Sequence, residues 1–349
     1  MQPYAIVSDI HAHGWKRFSK TLANGVNSRL QTILDELIRA AETVKASGGD
    51  RLRVAGDLFH IRGKIEPSVF NPTYDTFRHI TVVLGIKVDI IPGNHDLEGA
   101  HADRLGNAMQ QLDQLPGVTV IMEANASSDN VIMIPWIEDL DELRAECIKQ
   151  SHPDHDLIIH APLNGVIKGL PDLGLDPVEI AAWGYKRVFV GHYHNHCEPT
   201  PGIFSVGATT HQTWSDVNTT AGFLIIHEDR VEHHPSHAPS FVNIDDPSEI
   251  TRANVKGNYV RLRLKDADHA DLEMIKKELD AQGALDWVDH SSKKRTVVRG
   301  VTSSCNNVSL EVSVTNYVDD HLEVGTLDKA RIQKDALSVL AEARTVGDD

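Results

Sequence analysis

The run Val88-Asp89-Ile90-Ile91 leads directly into Pro92-Gly93-Asn94-His95-Asp96. A short, β-branched apolar run bounded by turn residues reads as a buried strand. Gly93 then permits a tight turn that aims three polar side chains in one direction. The same grammar recurs on either side. Tyr4–Ser8 leads to Asp9-Ile10-His11, Leu52–Ala55 to Gly56-Asp57, and Arg187–Val190 to Gly191-His192-Tyr193-His194, while Leu157–His160 ends on its own histidine. Loops at the carboxyl ends of strands in an α/β sheet converge on one crevice, so these distant clusters can meet.

Helical periodicity fills the intervals. Ser28–Ser47 places Leu30, Ile33, Leu34, Leu37, Ile38, Ala41 and Val44 on one face, and Gly48-Gly49 stops it. Further helices are expected at Tyr74–Val83 and Arg104–Leu115, and strands at Val118–Met122 and Val131–Pro135. Closing hairpin strands are expected at Ile203–Val206, Gly222–His227 and Val231–His234. This is the pattern of a layered α/β domain. The pattern changes near Asp245-Asp246-Pro247. A strand (Tyr259–Leu264), a helix (Ala270–Gln282), strands at Arg295–Val301 and Ser309–Val314, and a last helix (Leu327–Arg344) follow. The expected division is a catalytic domain over 1–245 and a small α+β appendage over 246–349.

The three cysteines, Cys147, Cys197 and Cys305, are odd in number and far apart, which argues against a disulfide framework and for a reducing, cytoplasmic setting. The amino terminus reads as a first strand and not as a signal peptide. No apolar run approaches the ~20 residues that span a bilayer, so no membrane association is expected. A formal charge of −16 argues against a surface that grips nucleic acid everywhere. It still allows a nuclease whose acidic site is neutralised by metal, or one that borrows its grip from a basic partner. The clusters supply carboxylate, imidazole and amide oxygen without thiolate. That set suits two ions of manganese, iron or zinc better than magnesium or calcium. The histidines at 233, 234 and 237 are expected at the surface.

The order of the clusters resembles the calcineurin-like metallophosphoesterase superfamily over roughly residues 1–235. The resemblance implies a sandwich of two central β-sheets flanked by helices. It implies that Asp9, His11 and His194 hold one metal, that Asn94, His160 and His192 hold the other, and that Asp57 bridges them. It makes His95 the acid near the leaving group, oriented by Asp96. Two cations so bridged activate a water for in-line attack on phosphorus and stabilise charge on the phosphoryl oxygens. An imidazole then supplies the leaving group's proton.

Gly56-Asp57-Leu58-Phe59-His60 further resembles the SbcD-type (meiotic-recombination) nuclease subunits, which implies that His60 positions the DNA end or scissile phosphate. Ser205–Thr210 resembles that family's closing strand. Trp214-Ser215-Asp216 stands where the family has an aromatic-Gly-Glu element, and His13 and Trp15 stand where it has a leucine-glycine pair. With Asn27-Ser28-Arg29 and the stretch from Arg62-Gly63 to Asn71-Pro72, these departures resemble phage-encoded members. His13 is open between a substrate contact and a solvated loop residue. The implied activity is a manganese-dependent DNA exo/endonuclease of repair, recombination or phage DNA metabolism, with Fe²⁺ or Zn²⁺ as alternative metals. The implied partners are DNA, an SbcC-type SMC-like ATPase docked on the carboxyl-terminal helices, and a second copy in a homodimer. Lys293-Lys294-Arg295 is the short basic run of the appendage. Two other readings compete: a phosphodiesterase or phosphatase on small nucleotides, and a metal-stabilised scaffold for a partner.

Overall fold

Three apolar runs, β1 (Tyr4–Val7), β2 (Arg51–Ala55) and β3 (Lys87–Ile91), pair in parallel. Parallel pairing needs long crossovers, and α1 (Ser28–Ala46) and α2 (Pro67–Arg78) lie in them. This computed structural model describes residues 2–99, 106–126, 129–167, 169, 171–265, 269–292, 309–320 and 328–345. Asn27 caps α1 through its side chain, which accepts from the backbone N–H of Arg29 and Leu30. β4 (Val118–Val120) extends this sheet at one edge.

A second sheet follows from β5 (Asn125–Ala126), β6 (Val131–Ile134), β7 (Asp156–His160), β8 (Arg187–Gly191), β9 (Cys197–Thr200) and β10 (Ile203–Ser205), in the order β5-β6-β7-β8-β10-β9. Helices α3 (Leu140–Lys149) and α4 (Pro177–Ala181) accompany it. The hairpin β11 (Gly222–Ile226) and β12 (Val231–Pro235) then returns to complete the first sheet as β12-β11-β1-β2-β3-β4.

Strand alternation sorts the core into layers. Ala5 and Val7 of β1 pack with Leu30, Leu34 and Leu37 of α1, whereas Tyr4 and Ile6 pack with Ile158, Phe189 and Phe204 of the second sheet. The far face of that sheet, Leu157, Ile159 and Val188, packs with Leu143 and Ile180 of α3 and α4. This is the expected two-sheet sandwich flanked by helices. A third sheet, β13 (Phe241–Ile244), β14 (Tyr259–Leu262) and β15 (Asp286–Asp289), is all parallel, with α5 (Arg252–Val255) and α6 (His269–Gln282) between its strands.

The chain divides into the compact units Met1–Lys294 and Arg295–Asp349. The third sheet begins at β13, just before residue 245. In the second unit, α7 (Leu310–Asp320) and α8 (Lys329–Thr345) pack on each other. The strand expected at Ser309–Val314 is therefore a helix. Leu310, Val314, Tyr317 and Val318 follow helical spacing, and a six-residue window could not separate the two periods. The expected helix at Arg104–Leu115 is, in its described part, only the 3₁₀ turn Gln110–Gln114. The helix expected from Tyr74 starts at Pro67, a residue suited to a first turn, and passes into one π turn at His79–Val83. Arg295–Val301 and Lys293-Lys294-Arg295 lie outside the described residues. Among the described residues, Cys147 and Cys197 are free and no helix is long and apolar enough to cross a membrane.

A buried polar cluster joins the two main sheets. Asp156 accepts from the Arg187 guanidinium at 2.8 and 2.6 Å and from the Tyr4 hydroxyl at 2.6 Å. Asp156 is fully buried, so Asp156→Asn leaves a guanidinium without its counter-charge. A loss of about 3–5 kcal/mol is expected, to be read from urea unfolding; a loss below about 1 kcal/mol would show the pair to be dispensable.

The sheet edges also meet at two histidines. The His196 ring stacks on His233 at 4.3 Å and 7°, so His233 is half-buried and not a surface residue. Burial, reinforced by the neighbouring His196, His234 and Arg39, pushes its pKa down to about 4. Between there and the ordinary value of 6.5 the unfolded chain binds the extra proton, so stability drops as pH falls through that window. The Tm of the wild type should fall more steeply from pH 7 to 4.5 than that of His233→Phe; parallel slopes would refute this.

Candidate metal centre

The strand ends of both sheets deliver their polar clusters to one place. Their loops are in direct contact: Asp9 N–H donates to Gly56 O at 3.1 Å, and His11 N–H to Asp57 O at 2.9 Å. Glycines make the approach possible. A Cβ on Gly93 would lie 2.2 Å from Asp57 Oδ1, and one on Gly191 would lie 2.2 Å from both Ala55 O and Ser8 Oγ. The backbone is strained where the loops meet. Asp9, His11, Asp57 and His192 all adopt positive φ, between 46° and 115°. Non-glycine residues held there cost of order 1–3 kcal/mol each and gather at functional sites.

All seven sequence-expected ligands come together. Asp9, His11 and His194 form one group whose ligand atoms lie within 4.8 Å of one another, and Asp57, His160 and His192 form another. Asn94 joins the second, its Oδ1 lying 3.2 Å from His160 Nε2 and 3.1 Å from His192 Nδ1. Asp57 stands between the groups, with Oδ2 3.6 Å from His11 Nε2 and 3.4 Å from His160 Nε2. Its other oxygen accepts the His95 N–H at 2.8 Å. His11, His60 and His95 make a further cluster of possible ligands.

These donors fit cations. A carbonyl only accepts, so His160 Nδ1, 2.7 Å from Ala55 O, carries a proton. Its Nε2 then faces the oxygens of Asp57 and Asn94, an arrangement that needs a proton or a cation between the atoms. Asp9 Oδ2 accepts from Ser8 Oγ and His192 N, while its buried Oδ1 has no hydrogen-bond partner. A buried carboxylate oxygen without a partner is costly and is what an ion ligand looks like before the ion is considered. Burial pushes His11 down to about 3 and His192 down to about 4, which keeps both imidazoles neutral and their lone pairs available. Burial would also lower His160, but the Asp57 charge outweighs it and raises this group to about 9.

The outer groups correct one expectation. His95 Nδ1 lies 2.6 Å from the His60 carbonyl, so His60's backbone, not Asp96, orients the ring. Asp96 is turned inward and accepts from Leu58, Phe59 and Gly93 N–H at 3.2, 2.9 and 2.9 Å. Burial, then the Asp57 charge, raises Asp96 to about 7. Its carboxylate clamps the two ligand loops together, and among the described residues no hydrogen bond joins it to the imidazole. The His60 ring stacks on His95 at 5.6 Å and 12°, and its Nδ1 lies 3.4 Å from His11 Nδ1.

Sequence reading missed two residues. Trp136 stacks on His192 at 5.5 Å and meets His160 edge-on; a lone tryptophan after a strand carries no signal. Asp216 bonds His194 Nδ1 at 2.7 Å. Burial opposes charge on both, but their hydrogen bond holds Asp216 below and His194 above its ordinary range. The Thr213-x-x-Asp216 spacing, a capping box in the structure, was its available signal.

The family model described as Calcineurin-like phosphoesterase matches residues 3–196. The chain belongs to that family and is a metal-dependent phosphoesterase. No curated protein matches the sequence. Among solved structures, a dimetal phosphatase from Danio rerio aligns at 11% identity and a TM-score of 0.42, over 66% of this chain and 94% of its own. The protein TT1561 of Thermus thermophilus aligns at 12% and 0.40, over 67% and 98%. The nuclease MPE of Pseudomonas putida aligns at 15% and 0.29, over 66% and 87%.

Gly93→Ala tests the arrangement. Its methyl group would displace Asp57, so the variant should lose both equivalents of Mn²⁺ in equilibrium dialysis while keeping its far-ultraviolet circular dichroism. Two full equivalents in the folded variant would remove Asp57 from the shared position.

Proposed function

We propose that the chain is a two-metal phosphodiester hydrolase acting on DNA, an exo/endonuclease of SbcD type. The observation that carries the hydrolase reading is Asp57 Oδ2, shared between a histidine of each ligand group. Asp9, His11 and His194 would hold one ion, Asn94, His160 and His192 the other, with Asp57 between. Two divalent cations there, Mn²⁺ first and Fe²⁺ or Zn²⁺ as alternatives, supply an activated oxygen nucleophile and Lewis-acid stabilisation of phosphoryl charge. His95, its Nδ1–H fixed on the His60 carbonyl, presents Nε2 as the atom that delivers a proton to the leaving oxygen. Asp96 keeps the two loops, and so the His95 ring and Asp57, in register.

Two features favour a nucleic acid over a small nucleotide. The half-buried rings of His13, Trp15 and His60 form an aromatic shelf beside His95, with centroids 4.6–5.6 Å apart; such faces stack bases without regard to sequence. The two loops bearing the shelf expose Lys16, Arg17, Lys20, Arg62 and Lys64, a local cationic rim on a chain of net charge −16. Docking of an SbcC-type ATPase on α7 and α8, which expose Val312, Tyr317 and Val339, belongs to the same reading, as does pairing of two copies.

A substrate panel with Mn²⁺ tests it: single- and double-stranded DNA, RNA, cyclic nucleotides and a generic phosphodiester. DNA cleavage is expected, and His95→Ala should lower kcat by about 10²–10⁴ while retaining two metal equivalents. Intact DNA beside rapid turnover of a small phosphodiester would favour the small-nucleotide reading. No turnover of any substrate by the metal-loaded wild type would favour the scaffold.

A further inference from the structure

The loop from Thr209 to Asp216 makes hydrogen bonds to one ligand group. Asp216, 2% exposed, holds His194 Nδ1 with Oδ1 at 2.7 Å, and its Oδ2 accepts from Gln212 and Thr213 N–H at 2.8 and 2.7 Å. Gln212, equally buried, donates from Nε2 to Asp9 O at 2.7 Å and to Ile10 O at 3.3 Å. One short segment thus ties the Asp9–His11 loop to the His194 ring. These bonds toward the site end on the Asp9–His11–His194 group, whereas His160 is held by Ala55 O and His192 by Asn94 and Trp136.

The segment is itself pinned from behind. Arg29 Nη2 donates to Gln212 O at 2.6 Å. Arg29 is 6% exposed and, among the described residues, forms no ion pair with a carboxylate; burial pushes its pKa down to about 10. It also occupies the first turn of α1, the end of a helix where a cation is disfavoured. Three aromatic faces surround its guanidinium: Trp15 at 5.0 Å, Phe241 at 5.2 Å and Tyr259 at 5.7 Å. Phe241 and Tyr259 begin β13 and β14, so the third sheet supplies two walls of the box. Trp214 of the segment packs edge-on against Phe241 at 4.7 Å.

Building on the two-metal reading, we infer that Asp216 is the positioning residue for the Asp9–His11–His194 metal site alone, and that Arg29 and the third sheet hold it in place. A carboxylate behind a ligand imidazole fixes its tautomer and ring angle and raises its basicity. The two ligand sets share Asp57 and touch where His192 N–H donates to Asp9 Oδ2 at 2.9 Å, but the Asp216 carboxylate stands behind an imidazole of the first set alone. The site with the Asp216 support can be weakened without the other.

Calorimetric titration of metal-free protein with Mn²⁺ tests this, read alongside circular dichroism. The wild type should bind two equivalents. Asp216→Asn should weaken one of them by about 10–100-fold and leave the other unchanged, Asp216→Glu should recover part of the loss, and Arg29→Leu should weaken the same equivalent by less. Two wild-type affinities in Asp216→Asn, or equal weakening of both, would overturn the inference. Should that variant not fold, Gln212→Leu removes the ties to Asp9 and Ile10 and must show the same one-sided loss, with equal affinities counting against it. A wild type binding fewer than two equivalents would instead defeat the two-metal reading itself.

Discussion

The Asp57 carboxylate imposes the constraint that the rest of the catalytic region satisfies. One oxygen is spent on the His95 backbone, and the other lies within 3.6 Å of His11 from the first sheet and His160 from the second. Both sheets must therefore end their central strands at the same height, and their loops must touch. The absent side chains of Gly93 and Gly191 and the left-handed backbone at Asp9, His11, Asp57 and His192 follow from that contact. Such strain persists only where surrounding structure over-determines it. Here the three apolar layers of the sandwich do so.

A second regularity concerns the ring nitrogens. His95, His160 and His194 each spend Nδ1 on an acceptor behind the ring: the His60 carbonyl, the Ala55 carbonyl and the Asp216 carboxylate. The Nε2 so left free on His160 faces the oxygens of Asp57 and Asn94. Fixing the ring in this way selects which nitrogen is offered to the site, as a lone pair to a cation or as an N–H to a phosphate oxygen. Two of these acceptors are main-chain groups, so the chemistry is set by the path of the backbone as much as by side-chain identity. The same holds for Asp96, whose carboxylate is consumed by three backbone N–H groups. Its role is to join loops: burial and the Asp57 charge raise it to about 7, and the backbone donors of Phe59 and Gly93, with the nearby His160, favour its ionised form.

The third sheet has a place in this scheme that its distance along the chain conceals. Phe18 stacks on Tyr259 at 4.8 Å and 8°, and Arg261 lies over Trp214 at 4.6 Å. Together with the aromatic box around Arg29, these contacts bind residues 241–262 to the loops that support the first ligand group. A buried guanidinium satisfied by carbonyls and aromatic faces orders its surroundings by its cost of exposure, because any movement of the box leaves a charge poorly solvated.

The amino-acid sequence by itself determined the layered class and the ligand inventory. β-branched runs such as Val88–Ile91, bounded by turn residues, read as buried strands, and polar clusters at the ends of such strands can converge on one crevice. It also carried the helix Ser28–Ser47, whose apolar face is long enough for its period to be unmistakable. What the tertiary structure alone decided was direction and register. Ser309–Val314 was too short to distinguish one period from the other, and β13 lies in a stretch for which no strand or helix was expected. Which acceptor stands behind each imidazole, why Asp96 turns away from His95, and how Asp216 and Trp136 reach the centre all depend on hydrogen bonds and ring contacts between distant residues. Those contacts are set by how two sheets stack, and no local pattern of residues encodes that distance.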